Sequence, residues 1–247
     1  MVRRAVHSAL RRLGLTVRRY SPATSPEAQM QALLAHHHVD LVLDVGANEG
    51  QHALALRRGG YRGDILSFEP LPAAWAACAQ HAARDPRWAM APRAALGDHE
   101  GAVEINVAGN SVSSSVLPMS ETHRKAAPAS AYIGVEQVAL HRLDVLADEA
   151  VTRAARPFLK IDTQGYERQV LAGATGVLPR LVGIQLEISL TPLYAGSPTL
   201  PDLLQTMSEW GFQLYALLPE FVDPASGRTL QVDGVFFREP VSKAGQD

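Results

Sequence analysis

The chain has a single cysteine, Cys78, among 247 residues, so no internal disulfide can form and a reducing cytoplasm is the implied compartment. Cys78 falls within a helical pattern and reads as a small buried hydrophobe rather than a reactive thiol. Charge is sparse and balanced. Only 19% of residues are charged and the formal net charge is −2, which is not the footprint of a nucleic-acid binder. No apolar run approaches membrane-spanning length, and no secretory leader fits, because Arg11 and Arg12 break the one apolar stretch behind the first charges. Neither an internal repeat nor an interdomain linker is visible. At this length, with 47% hydrophobic residues, one α/β domain is expected.

What is present begins with six arginines, Arg3, Arg4, Arg11, Arg12, Arg18 and Arg19, in the first twenty residues. Val2, Ala5, Val6, Ala9, Leu10 and Leu13 fall near one helical face between them. This start reads either as a basic amphipathic helix that touches a membrane surface or an acidic partner, or as a helix docking on its own domain. A second helix is predicted from Pro26, with proline in its first turn and Glu27 at its positive end. It leads into His36, His37 and His38, which point in different directions on a helix and so read as a solvated end rather than a metal site.

The stretch LVLDVGANEG, residues 41–50, organises the rest. An apolar strand runs into Asp44, then into a turn with glycines at Gly46 and Gly50, and a helix is predicted from Gln51. The free N–H groups at such a helix start form a partly positive lip for a nucleotide-like ligand. A dinucleotide site would need glycine where Asn48 stands, so that a pyrophosphate could approach. Asp44 is likewise a poor neighbour for a pyrophosphate and a good one for ammonium and sulfonium charge. S-adenosylmethionine fits that description. A second strand over Asp64–Phe68 ends in Glu69, and parallel strands deliver their C-terminal ends to one sheet edge, where Glu69 can accept bonds from both ribose hydroxyls of an adenosine. After a helix from Pro72 and a short strand from Trp88, Asp98 offers a third acidic loop, a candidate partner for the adenine amino group.

Downstream, a strand is expected over Ala102–Val107, followed by the small-residue loop 108–118, which can fold over a ligand. Residues 121–130 are charged and contain proline, and an irregular segment or lid is expected there; short strand and helix patterns follow at Gln137–Leu140 and Leu143–Ala150. The block RPFLKIDTQGYERQVLAGA, residues 156–174, is the second informative stretch. Its strand carries Lys160 and Asp162 on one face, and such a pair is too costly to bury unless it is paired or working. LVGIQLEI places Glu187 near a strand end, Leu200–Trp210 reads as a helix, and Phe212–Leu218 and Val235–Phe237 as a final antiparallel hairpin with Asp233 just before its last strand.

These blocks, LVLDVGANEG, LSFEP, AALGD, the serine loop, HRLD, FLKIDTQGYERQVLAGA, the Leu186-Glu187 strand and QVDGVFF, resemble in that order the FkbM family of S-adenosylmethionine-dependent methyltransferases. The resemblance covers residues 39–238, leaving a basic extension, 1–38, and a short tail, 239–247. It implies a doubly wound, Rossmann-like seven-stranded sheet, mostly parallel with an antiparallel C-terminal hairpin. It also implies O-methylation of a sugar, glycolipid, polysaccharide or polyketide-type acceptor. Asp44, Gly46, Asn48, Gly50, Glu69 and Asp98 are then the expected cofactor-binding residues, with Asp162, Lys160 and Glu187 catalytic. Asp162 would act as general base, or as ligand of a Mg2+ or Mn2+ ion with Glu187 and Asp233 completing an all-oxygen site. A small-molecule or glycan acceptor and no nucleic acid are the expected partners; a homo-oligomer and a peripheral membrane contact stay open. The competing readings are an NAD(P)-dependent Rossmann oxidoreductase and a non-catalytic cofactor-binding protein.

Overall fold

The computed structural model describes residues 10–239. Most of the arginine-rich start, and the helical face expected there, lies outside that range; within it residues 10–12 are helical and 15–20 carry no regular structure. The first full helix, α1 (Pro26–His36), begins where Ser25 caps it, its side chain accepting from the Ala28 N–H at 3.2 Å. Then follow β1 (Leu41–Val45), α2 (Gln51–Gly59), β2 (Asp64–Phe68), α3 (Pro72–Ala82), β3 (Trp88–Met90), β4 (Ala95–Leu96) and β5 (Gly101–Ala108). The second half runs α4 (Glu121–Ala126), β6 (Tyr132–His141), α5 (Leu143–Arg153), β7 (Pro157–Ile161), α6 (Glu167–Ala172), β8 (Gly183–Ser189), α7 (Leu200–Glu209), β9 (Gln213–Val222) and β10 (Thr229–Phe237).

Seven strands form one sheet in the order β3-β2-β1-β7-β8-β10-β9. All neighbours from β3 to β8 pair parallel, and β10 pairs antiparallel with both β8 and β9. This is the expected doubly wound sheet with its antiparallel C-terminal hairpin. A second sheet, β4-β6-β5, stands beside it.

Helices cover both faces of the large sheet. Leu41, Leu43 and Val45 of β1, with Leu159 and Ile161 of β7, pack with Leu143 and Val151 of α5, Val170 of α6 and Met207 of α7. The alternate residues Val42 and Phe158 face the other way, toward Met30 of α1, Leu56 of α2 and Cys78 of α3. On that second face the alternation continues past the apolar layer into polar residues. Ser67, Asp44, Lys160 and Gln185 are successive register partners across β2, β1, β7 and β8. Glu187 and Asp233 are register partners on β8 and β10. A polar row therefore crosses four strands near the C-terminal ends of the parallel ones.

Three expectations need correction. Residues 121–130 are not irregular: Ser120 caps α4 and a 3-10 turn spans Pro128–Ser130, so a single helical turn absorbs the charges on its exposed side. Asp233 lies inside β10 rather than before it, because the strand starts at Thr229 and pairs along its whole length. The three histidines are not all solvated. His37 is buried and its ring stacks on Phe237 with centroids 3.8 Å apart, while His36 and His38 are exposed.

Candidate active site

The turn after β1 takes the shape its glycines allow. Gly46 has φ +75, and a Cβ on it would lie 1.8 Å from the Asp162 carbonyl oxygen, so no other residue fits between the ends of β1 and β7. Gly50 has φ +92 and caps α2, and a Cβ there would press into Trp88 and Cys78. Asn48 adopts φ 47; its backbone N–H donates to Glu69 Oε2 at 2.9 Å and its side-chain amide to Ser111 Oγ at 3.2 Å. The amide thus ties the glycine turn to the serine loop.

A cavity of about 600 Å³ opens above this turn. At one end it is lined by Phe68, Glu69, Leu71, Ala95 and Leu96, at the other by Asp162, Gln164, Glu187, Glu220 and Asp233, and the serine loop, residues 110–116, closes over the middle. Among the lining residues Lys160 is the only lysine or arginine. Glu69 is buried, accepting from Asn48 and from the Leu71 N–H at 2.9 Å, and its carboxyl is pushed up to about 7, chiefly by burial. A fixed carboxylate beside an apolar slot suits a ribose and its base. A wall of carboxylates with one engaged ammonium suits a cationic ligand and not a pyrophosphate.

Asp44 does not reach the cavity. It is 0% exposed; its carboxylate lies 3.3 Å from the Lys160 ammonium and accepts from Ser67 Oγ at 3.3 Å, because both partners are its direct neighbours in the sheet register. It therefore acts beneath the site, holding Lys160. That ammonium also lies 3.4 Å from Asp162 Oδ2 and donates to the Gly46 carbonyl at 3.3 Å. Burial alone would lower the Lys160 pKa, but Asp44, Asp162 and Asp233 together hold it above its ordinary value and keep it charged. Asp98 is exposed, pairs with His99 at 2.6 Å and is not among the lining residues.

The catalytic candidates do converge. Gln164 Nε2 donates to both Asp162 Oδ1 and Glu187 Oε2, each at 2.8 Å, while its carbonyl oxygen accepts from Tyr194 OH at 2.6 Å. Gln164 sits at φ 55, a strained backbone conformation fixed by Ser115 Oγ donating to its carbonyl at 2.7 Å. Glu187 is raised well above the carboxylate range by burial, with Asp162, Glu167 and Asp233 adding to it. Asp233 accepts from Gln185 Nε2 at 2.8 Å and is pushed up to about 7 by burial and then by Asp162. The expected metal set of Asp162, Glu187 and Asp233 does not form. Gln164 stands between the first two and Gln185 engages the third. Among the described residues no group of three or more His, Cys, Asp or Glu is placed to hold a metal ion.

Residues not singled out in the sequence complete the site. His52, in the first turn of α2, faces the cavity uncharged, its imidazole pushed down to about 4 by burial. Gln185, Glu220 and Gln231 also line it. Two of them carried a signal: Gln185 and Glu187 alternate within the apolar run of β8, as do Gln231 and Asp233 in β10, and a period of two places each pair on one face.

Comparison with known proteins adds the family. The model of the methyltransferase FkbM domain matches residues 44–214. The 2-O-methyltransferase NoeI of Sinorhizobium fredii is 25% identical over 189 residues, covering 74% of this chain and 76% of its own. Among solved structures, magnesium protoporphyrin IX methyltransferase from Synechocystis PCC 6803 with bound SAM matches 86% of this chain and 77% of its own, at TM-score 0.46 and 10% identity. An rRNA methylase from Streptococcus thermophilus matches 87% and 97%, at TM-score 0.46 and 12% identity.

Proposed function

The chain belongs to the FkbM methyltransferase family, and from that premise we propose that it transfers a methyl group from S-adenosylmethionine to a hydroxyl oxygen of a sugar, glycolipid, polysaccharide or polyketide-type acceptor. The convergence of Asp162 and Glu187 on Gln164, in the same cavity as Glu69, carries the proposal. S-adenosylmethionine, when bound, supplies a methyl carbon on a positively charged sulfur. Glu69 would hold the ribose hydroxyls, and the apolar slot formed by Phe68, Leu71 and Leu96 would take the base.

At the other end Asp162 would receive the proton of the acceptor hydroxyl that takes the methyl group, and S-adenosylhomocysteine would be the leaving group, its sulfur keeping the electron pair of the carbon–sulfur bond. Gln164 keeps the Asp162 and Glu187 carboxyl groups apart and oriented, and the serine loop lines the cavity beside them. The metal version of the mechanism does not fit the donor set, and a chelator is expected to leave the rate unchanged. The oxidoreductase reading gives way to the family match, and Asn48, bonded to Ser111, stands where a dinucleotide site has glycine. A non-catalytic binding module would not need the buried Lys160 and Glu187 carried beside Asp162.

The test is Asp162→Asn, which removes the charge and keeps the size. S-adenosylmethionine affinity is expected within a few-fold of the parent, while turnover falls by roughly a hundredfold, the scale of a lost general base. Calorimetry and isotopic methyl transfer measure the two. A variant that turns over at the parental rate sinks the assignment. The similarity to NoeI, a 2-O-methyltransferase, makes hydroxyl-bearing acceptors the first to try.

A further inference from the structure

The mechanism above uses Asp162, Gln164 and Glu187 and leaves their neighbours on β8, β9 and β10 without a role, and unmet hydrogen-bonding groups occur among those neighbours. Gln231 is 3% exposed and lines the cavity, yet its Nε2 has no partner among the described residues. Gln185 is 4% exposed; it gives one N–H to Asp233 and leaves its Oε1 without a partner. Buried amide atoms are normally satisfied, so an unmet donor and an unmet acceptor on two side chains that line one cavity point to a ligand that both donates and accepts. A hydroxyl group does both.

The charges at this end limit what else that ligand can carry. Asp162, Glu187, Glu220 and Asp233 face the cavity, and Lys160, the one lysine or arginine among the described residues that line it, is already engaged by Asp44, Asp162 and the Gly46 carbonyl. Burial, followed by Asp162, raises Glu220, so this end already resists added negative charge. A phosphate, sulfate or carboxylate would enter a carboxylate-lined recess with no free lysine or arginine among its lining.

We propose that Gln231, Gln185, Asp233 and Glu220 form a subsite for the acceptor's non-reacting hydroxyl groups, one that takes a neutral polyhydroxylated molecule and rejects its anionic counterpart. The proposal rests on the methyl-transfer reading, since it places the reacting hydroxyl at Asp162 and the neighbouring hydroxyls toward β10.

The experiment uses the full chain saturated with S-adenosylhomocysteine. Binding is measured by saturation-transfer NMR for neutral methyl glycosides and, on the same skeletons, their 6-phosphates and uronates. Neutral members are expected to bind, with anionic members weaker by about tenfold or more. Gln231→Leu should weaken neutral binding by about fivefold or more, with S-adenosylhomocysteine affinity unchanged. Gln231→Met, which keeps the length without the amide, carries the same expectation should the leucine variant fold poorly. Glu220→Gln combined with Asp233→Asn should narrow the neutral-over-anionic gap. A parent with no preference for neutral over anionic members overturns the subsite, as does parental affinity in both Gln231 variants. Failure to bind S-adenosylmethionine overturns the methyl-transfer reading instead; normal cofactor binding without the neutral preference overturns the subsite alone.

Discussion

Lys160 donates toward Asp44, Asp162 and the Gly46 carbonyl at once, so one side chain neutralises the buried layer beneath the cavity and fixes the turn above it. Lys160→Met retains the stem and removes the ammonium, stranding the Asp44 carboxylate at 0% exposure. An uncompensated buried charge of this kind costs about 3 kcal/mol or more. Urea unfolding is expected to show that loss, and a midpoint equal to the parent's would mean that Lys160 does not stabilise the buried layer. Glu69 works at the same scale for the cofactor. Glu69→Ala should weaken S-adenosylmethionine binding by about 2 kcal/mol through lost charged hydrogen bonds, with the fold intact. Calorimetry showing unchanged affinity removes Glu69 from the site.

Among the elements, the turn into α6 carries the clearest pH signature. Glu167 Oε1 accepts from the Thr163 and Gly165 N–H groups and the Thr163 hydroxyl, and burial pushes its carboxyl up to about 7. A carboxyl raised on folding favours the native state when protonated. Its stabilising contribution is full below the unfolded value near 4.5 and is lost as pH rises through about 7. Glu167→Gln keeps the acceptor oxygen and removes the ionisation. Between pH 5 and pH 8 the parent should lose stability relative to this variant, by on the order of 2 kcal/mol, in parallel denaturant titrations. Parallel curves would mean the carboxyl keeps its ordinary value.

The elements also show how far the sequence carries. Strands β1, β2 and β7 and the start of α2 were legible because apolar runs end at acids and glycines, and these signals are local. Short-range pattern also placed Asp162 and Glu187 on one sheet edge. It did not reveal that Asp44 faces Lys160 rather than the cavity, since that depends on the register of β1 against β7, more than a hundred residues apart. Gln164 was hidden for a related reason: its role comes from bridging two strand ends at a left-handed backbone angle, and no periodicity marks it. The burial of His37 depended on Phe237, two hundred residues away in sequence, arriving beside α1.

For the whole molecule, charge and apolar surface are unevenly spread. No helix among the described residues is long and apolar enough to cross a membrane. Leu13, Leu15, Val17 and Tyr20 are nevertheless exposed beside Arg11, Arg12, Arg18 and Arg19, and the first acidic residue in the chain is Glu27. A basic segment with exposed apolar side chains is the type that anionic lipid surfaces attract, and a peripheral membrane contact is proposed on that ground. Deleting residues 1–20 is expected to reduce cosedimentation with phosphatidylserine vesicles while turnover of a soluble acceptor stays near parental. Loss of solubility or of cofactor binding in the truncated protein would assign the segment to the core or to a contact between copies.

The position of β10 has a consequence for synthesis. It follows every other strand in chain order yet lies inside the sheet, between β8 and β9, and it brings Gln231 and Asp233 to the cavity. While a ribosome still shields residues 229–237, the edge of β8 is open and β9 has no partner in the large sheet, a state prone to pairing with other nascent chains. The glycine turn and Glu69 belong to elements that precede β10 in the chain, so they are made before Gln231 and Asp233 arrive. Insertion of one strand into a waiting gap then seals the sheet and completes that side of the cavity wall in the same event.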